Sequence, residues 1–191
     1  MKNLVINGNW YHGTPSGPIS KFRPFSHFGT IEAAKDSIGK HIHLNKTSGP
    51  YYMIKTTLSL NLQEYITLEE WGGITSIHLA YGLANSSIPQ IEIFEQIRSK
   101  AITLKAESKD FDQYGLPALK AELDNRKIKA IFYKNIVEGN PEDYSVCIID
   151  ESIINIIDTQ LLERVDLEES IIRTEKLKKY LFLDVQQLPT H

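Results

Sequence analysis

Residues able to orient a ligand stand together in the stretch Tyr11-His12-Gly13-Thr14. Aromatic residues precede His12 and turn-forming residues follow Thr14, which predicts the end of a strand opening into a loop. At such a position an imidazole can offer one ring nitrogen to a ligand hydroxyl, and a glycine lets backbone groups approach a flat polar group. Thr14 adds a short hydroxyl. The alternative is an ordinary strand end whose histidine is satisfied within the protein.

A second histidine lies beside an aromatic ring in the stretch from His27 to Thr30. The following residues, 31–38, predict a short helix with Thr30 as its N-cap and Gly39 as its end. This pattern places His27 directly before a helix.

Two more histidines, His41 and His43, alternate around Ile42 and predict a short strand. Zinc sites use three or four Cys, His or carboxylate ligands. No Cys, Asp or further His follows these two at ligand spacing, so we expect no metal.

Composition limits the classes of function. The chain has 191 residues, 24% of them charged, and a net charge of −3. No face collects Lys and Arg with interleaved aromatic residues, so we expect no nucleic-acid partner. The single cysteine, Cys147, lies in an apolar run and is expected to be a buried hydrophobe in a reducing compartment. No apolar run is long enough to span a membrane, and we expect a soluble protein of the cytoplasm, or one secreted into a host cell as an effector.

Hydrophobic periodicity predicts the remaining elements. Strict alternation over residues 54–62 predicts a half-buried strand, and two apolar runs predict strands at 128–133 and 145–149. A first strand is predicted over residues 4–6 and 10–11, with an interruption near Asn7-Gly8. Helical spacing occurs in four stretches: 74–84, 88–102, 116–126 and 158–185. The pair Tyr114-Gly115 is expected to break the chain before the third of these helices.

Several of these segments, taken in order, resemble the ADP-ribosyltransferase-like fold. The likeness is closest to its bacterial and phage branch and more distant to the diphtheria-toxin and poly-ADP-ribose polymerase group. It covers about residues 9–157 and depends on the order and spacing of short motifs. These are Tyr11-His12-Gly13-Thr14, Phe22, His27-Phe28-Gly29-Thr30, Glu32-Ala33-Ala34, the strand ending near Leu62, the turn around Trp71, Ile131-Phe132-Tyr133-Lys134-Asn135 and Val137-Glu138-Gly139.

The resemblance implies an α+β fold in which a split antiparallel β-sandwich with peripheral helices clasps an ADP-ribosyl group. It implies NAD or ADP-ribose as substrate or ligand. Residues 1–157 would form this domain, and residues 158–191 a C-terminal helical extension packed on the core. The alternative for the extension is that its apolar stripe docks a partner or a second subunit. The sequence carries no signal for an oligomeric state.

The resemblance also implies roles for individual residues. His12 would hold a ribose hydroxyl, Gly13 would meet the nicotinamide carboxamide through its backbone, and Thr14 would help to place the adenosine side. The ring on which nicotinamide stacks would come from one of three residues: Phe28, Tyr51 or Tyr52.

The chain departs from the family pattern at the key carboxylate. In the polymerase-like group a glutamate begins the strand that corresponds to residues 144–148, and here that position is Tyr144 or Ser145. The remaining candidates for the catalytic acid are Glu138, Glu142 and Asp143, with Asp150 a weaker one, and Glu138 is preferred. For each of them the alternative is a solvated loop acid.

The implied activity is that of an enzyme acting on the N-glycosidic bond of ADP-ribose. Cleavage of this bond needs groups that orient hydroxyls, a flat wall for the leaving group and a carboxylate near the anomeric carbon. We expect a mono-ADP-ribosyltransferase that uses NAD on a protein substrate. The alternatives are a hydrolase on the same fold, removing ADP-ribose from modified arginine or cleaving NAD, and a catalytically silent module that binds ADP-ribose or NAD.

Overall fold

The structure, a computed structural model, describes residues 8–45, 47–68, 73, 75–135, 138–140 and 143–185. These residues form an α+β fold. The strands are β1 Trp10–Thr14, β2 Ser26–Phe28, β3 Tyr51–Leu58, β4 Tyr65–Leu68, β5 Ala130–Lys134, β6 Tyr144–Ile148 and β7 Ile154–Leu162. The helices are α1 Ile31–Asn45, α2 Ser76–Ala84, α3 Glu92–Ala106, α4 Asp112–Asn125 and α5 Glu168–Val185. No helix of the described residues combines the length and the apolar character that crossing a membrane requires.

The strands form two sheets, one of order β1-β3-β7 and one of order β2-β6-β5-β4. A shared apolar cluster joins the two sheets, with Trp10 and Ile54 contributed by the first and Phe132 and Val146 by the second. The first sheet is antiparallel, whereas the second is mixed because β4 and β5 run parallel. The prediction of an antiparallel sandwich is therefore wrong for the second sheet. Helices α2, α3 and α4 connect β4 to β5, and a connection of this length permits the crossover that a parallel pair needs.

The two sheets meet along β1 and β2. An isolated antiparallel bridge joins Tyr11 to Gly29, with both N···O distances at 2.9 Å. Elsewhere β1 pairs with β3, and β2 pairs with β6. Beside this backbone bridge, and away from the shared apolar cluster, the two sheets separate.

Helix α1 packs on the face of the first sheet that points away from the second. Ile38 and Ile42 lie in a buried cluster with Tyr51 and Met53 of β3. The helix begins as predicted, because the Thr30 hydroxyl accepts a hydrogen bond from the Ala33 N–H at 3.2 Å.

The predicted end of this helix at Gly39 is wrong, and so is the strand predicted around His41 and His43. Helix α1 continues to Asn45. A Cβ on Gly39 would lie 3.0 Å from the carbonyl carbon and oxygen of Ser170, where α5 crosses. This glycine therefore permits close contact between two helices and does not end one.

Helix α4 gives a second example. It begins at Asp112, so the predicted break at residues 114–115 is wrong. A Cβ on Gly115 would lie 2.2 Å from the Ser76 hydroxyl oxygen, so this glycine lets α4 approach α2.

The predicted strand over 54–62 begins and ends earlier, at Tyr51 and Leu58. Its alternation is confirmed for the buried residues Ile54, Thr56 and Leu58, but Leu62 is 79% exposed. The chain turns after β3, where the Asn61 N–H donates to the Glu64 carboxylate at 2.9 Å.

The helix predicted from residue 158 is wrong over residues 158–162, which belong to β7 and pair with β3. The boundary drawn between residues 157 and 158 thus falls inside a strand. Helix α5 follows and packs against α1 through residues of one buried cluster.

The helices predicted at 74–84 and 88–102 and the strands predicted at 128–133 and 145–149 are confirmed as α2, α3, β5 and β6, with shifted ends. Cys147 is buried in the core, as expected. Residues 4–6 of the predicted first strand and the turn around Trp71 lie outside the described residues.

Candidate functional site

A cavity of about 740 Å³ opens where the two sheets separate. Its walls are β1, β2, the inner side of α1 and the segment that follows β5. The volume lies in the range of about 300–1,000 Å³ that is typical of small-molecule sites. The polar side chains on its walls include His12, His27, Ser37, Lys40, Asn135, Glu138 and Ser145.

Sequence segments that lie far apart meet at this cavity. Of the predicted site residues, five line it: His12, Gly13, Thr14, Phe28 and Glu138. Tyr51, Tyr52 and Asp143 are not among its lining residues. Glu142 lies outside the described residues.

His12 is held at the split between the sheets. Its Nδ1 lies 2.7 Å from the carbonyl oxygen of His27. Because a carbonyl only accepts, Nδ1 carries the proton and Nε2 is left as the acceptor nitrogen. Burial lowers the pKa of His12, so the ring is neutral at pH 7. A neutral imidazole with one acceptor nitrogen can receive a hydrogen bond from a ligand hydroxyl.

The rings around His12 form a compact group. Its ring centroid lies 5.1 Å from Phe22 and 5.4 Å from Phe28, and these two phenyl rings are 4.7 Å apart. Phe28 is only 2% exposed. In this arrangement Phe28 supports the imidazole and has no open face for stacking.

Gly13 and Thr14 have local structural roles as well. A Cβ on Gly13 would lie 2.1 Å from the Ala34 carbonyl oxygen, so α1 can approach β1 only because this residue is glycine. The Thr14 hydroxyl oxygen lies 3.1 Å from the Ser16 hydroxyl and accepts from the Ser16 N–H at 3.2 Å. Both residues still face the cavity.

The two tyrosines predicted as stacking rings lie elsewhere. Tyr51 is 4% exposed in the cluster between α1 and the first sheet, and its hydroxyl donates to the Thr47 carbonyl at 2.8 Å. Tyr52 is partly buried and lies outside the cavity wall. Partly buried rings that do line the cavity belong to Tyr11 and Phe25.

A chain of polar side chains forms one wall, and none of its members is among the predicted site residues. His27 Nδ1 lies 2.8 Å from the Tyr133 hydroxyl, Tyr133 is hydrogen-bonded to Ser145, and the Asn135 amide donates to the Ser145 hydroxyl at 2.9 Å. Tyr133 and Ser145 are cross-strand partners in the β5–β6 register. His27, Tyr133 and Asn135 all lie in motifs that carried the family resemblance, which was the available signal.

Burial sets the protonation of this chain. It lowers the pKa of His27 to about 4 and raises that of Tyr133. Both groups are therefore neutral near pH 7.

Glu138 is the acidic side chain that faces the cavity among its described lining residues. Its side chain is 24% exposed and lies 3.8 Å from the Lys40 ammonium, and its backbone N–H donates to the Asn135 side-chain oxygen at 3.0 Å. Burial raises the pKa of this carboxyl, and Lys40 partly offsets the effect. A carboxyl whose pKa is raised towards neutrality is suited to proton transfer.

Within the described ranges, no three His, Cys, Asp or Glu side chains come together in a way that could hold a metal ion. His41 and His43 lie on α1, and of the two only His41 lines the cavity.

Comparisons with protein-family models, with curated proteins and with solved structures found no match for this chain. The cavity and the side chains on its walls are therefore the observations from which a function is argued.

Proposed function

We propose that this protein is an enzyme acting on the N-glycosidic bond of ADP-ribose, as a mono-ADP-ribosyltransferase that uses NAD on a protein acceptor. Its fold would then be a split β-sandwich of the ADP-ribosyltransferase type. The observation that carries the proposal is the meeting of His12, Phe28 and Glu138, from three distant motifs of the resemblance, at one cavity. The cavity lies where the two sheets separate.

The chemistry of the bond fits this set of groups. Breaking it develops positive charge on the ribose, which a nearby carboxylate stabilises. In the proposed site Glu138 supplies that carboxylate. The neutral His12 accepts a hydrogen bond from a ribose hydroxyl through Nε2, because Nδ1 already donates to the His27 carbonyl.

The choice of Glu138 is supported by its position relative to Ser145. The glutamate position of the polymerase-like group corresponds here to Tyr144 or Ser145, and of these two Ser145 lines the cavity. Asn135 connects Ser145 with Glu138, because its amide nitrogen donates to Ser145 and its oxygen accepts from the Glu138 N–H. The proposed catalytic acid thus comes from the segment that follows β5. It lies next to the position at which the polymerase-like group is expected to have its glutamate. Asp143 lines no part of the cavity, which makes it a weaker candidate.

A flat wall for nicotinamide is proposed at Tyr11 or Phe25. Both rings line the cavity and are partly exposed, whereas Phe28 and Tyr51 are almost completely covered. Stacking needs an open ring face.

Turnover assays test the proposal. The protein is incubated with NAD and candidate acceptor proteins, and transfer and nicotinamide release are measured. We expect Glu138→Gln to abolish turnover while the fold is kept. The matched control is Glu107→Gln, an exposed residue after α3 whose carboxylate pairs with Lys109. Absence of turnover in a folded wild-type sample would refute the transferase.

A hydrolase on the same scaffold is the second candidate. The observation that favours it is the raised pKa of Glu138, because a carboxyl of this kind can activate a water molecule beside the sugar. Release of ADP-ribose from ADP-ribosylated arginine substrates, or hydrolysis of NAD without an acceptor, would identify the protein as a hydrolase.

The absence of a glutamate at the start of this strand, where Tyr144 and Ser145 stand, favours a third candidate, a module that binds ADP-ribose or NAD without cleaving it. It predicts saturable binding in calorimetry that Glu138→Gln leaves unchanged, with no turnover. Loss of turnover in this variant would exclude it.

A further inference from the structure

The backbone around Glu138 is held from both sides. The Glu138 N–H donates to the Asn135 side chain at 3.0 Å, and the Gly139 N–H donates to Asp36 Oδ2 at 2.9 Å. Asn135 and Asp36 are buried, with 9% and 3% exposure. Two consecutive N–H groups are thus fixed by side chains from β5's end and from α1.

Asp36 connects this segment to the C-terminal helix. Its Oδ2 also accepts from an Arg173 guanidinium nitrogen at 3.1 Å. A buried carboxylate is costly unless it is paired and hydrogen-bonded. Arg173, with its side chain 40% exposed, supplies the compensating charge from α5.

The segment also lies directly against α1. A Cβ on Gly139, whose φ is +75°, would lie 3.2 Å from Ala33. Lys40, one turn after Asp36, reaches the Glu138 carboxylate at 3.8 Å. Helix α1 therefore places the Asp36 carboxylate next to the backbone of Gly139 and the Lys40 ammonium beside the Glu138 side chain.

The charges that face Glu138 act in opposite directions. Burial raises the pKa of Glu138, Lys40 lowers it and Asp36 raises it, while Tyr133 on β5 is neutral and interacts with the same carboxyl. Arg173 contacts Asp36, whose Oδ2 accepts hydrogen bonds from both the Arg173 guanidinium and the Gly139 N–H.

We propose that Asp36 positions Glu138 and that Arg173 holds Asp36 in place. Helix α5 then helps to fix the position of the Glu138 carboxylate in the site. The catalytic consequence rests on the proposed function, whereas the positioning itself does not. Asp36 and Arg173 are positioning residues, because neither lines the cavity.

Residue-specific amide exchange tests the positioning without any activity. The variants are Arg173→Met, Asp36→Asn and the conservative Arg173→Lys, and Ile42→Val is the control. Ile42 lies in the cluster between α1 and the first sheet, so its truncation lowers stability without touching Asp36. The Arg173 side chain is 40% exposed, so we expect the Arg173 variants to fold. They still test the proposal if Asp36→Asn does not fold.

We expect the Gly139 amide to exchange about tenfold faster in Arg173→Met. Without the guanidinium, Asp36 is no longer held in place, and the hydrogen bond that the Gly139 N–H donates to its carboxylate is weakened. Arg173→Lys should recover much of the protection. In Ile42→Val, Gly139 should change only as much as other amides do. A Gly139 exchange rate in Arg173→Met that merely follows global stability would overturn the proposal.

The second measurement is the turnover rate of the same Arg173 and Asp36 variants. Misplacing a catalytic carboxylate should lower kcat by about 10- to 100-fold, and KM should change little. An increase in KM with kcat unchanged would overturn the proposed effect of Asp36 and Arg173 on catalysis. If the wild-type protein turns over no substrate, the proposed function fails, and the exchange at Gly139 still decides whether Arg173 and Asp36 fix this segment.

Discussion

Acidification is expected to destabilise the fold through His27. Burial lowers the pKa of His27 from 6.5 to about 4, so the folded protein keeps the ring neutral while the unfolded chain protonates it below pH 6.5. The unfolded state then binds more protons between pH 6.5 and 4, and stability is lost as the pH falls through this window. At about 1.4 kcal/mol for each pKa unit, the complete loss is about 3.5 kcal/mol. This is an upper value, because solvent reaches part of the ring.

Urea unfolding between pH 4.5 and 7.5 measures this effect, with wild type compared against His27→Gln. A glutamine cannot take up the proton, so the difference in free energy of unfolding between the two proteins should shift by about 2–3 kcal/mol in favour of the variant as the pH falls. Burial raises the pKa of Glu138 and acts in the opposite sense, but this contribution is present in both proteins and cancels in the difference. His78→Gln, on the exposed side of α2, controls for the replacement of a histidine.

An NMR titration of the His27 ring gives the pKa directly, with a midpoint near pH 4 expected. A midpoint near 6.5, together with parallel stability curves for wild type and His27→Gln, would refute the burial of this ring and the neutral hydrogen bond to Tyr133.

Two further predictions concern the walls of the cavity. Gly13→Ala should lower the free energy of unfolding by at least about 1–3 kcal/mol, because its Cβ would lie 2.1 Å from the Ala34 carbonyl oxygen; an unchanged melting temperature would show that α1 does not approach β1 this closely. Lys40→Met should raise the pKa of Glu138 further, since the ammonium lowers it. A carbon-13 titration of the carboxyl measures this, and a lower midpoint would contradict the ion pair.

Elements with a strong apolar pattern could be predicted from the sequence. Strands β5 and β6 and helices α2 and α3 form where the periodicity indicates, because their buried residues alone determine the pattern. The Thr30 cap was equally predictable, since its hydroxyl bonds a backbone group three residues away.

Elements that depend on distant contacts could not be predicted in this way. Gly39 and Gly115 predict chain breaks from the sequence alone, but both lie inside helices at contacts with another helix. Their role depends on Ser170 and Ser76, which are distant in sequence. Residues 158–162, the second half of β7, are predicted as helix from the sequence. Most residues of this strand are exposed, so pairing with β3, and not burial, determines its conformation.

The candidate site shows the same division. His12 and Glu138 lie in recognisable motifs and line the same cavity. Tyr51, by contrast, is a predicted stacking ring that is covered by α1. The polar chain through Tyr133 and Ser145 depends on the β5–β6 register. A register is a property of the paired strands and cannot be read from either strand alone.

The most direct test of the central claim is an NMR titration of the protein with ADP-ribose, because binding is common to transfer, hydrolysis and silent recognition. We expect saturable shifts at His12, Gly13 and Ser37 on the cavity wall, with weaker binding in His12→Ala. Signals that do not move, or that move only at the separate surface cavity near Lys21 and Lys120, would contradict this claim.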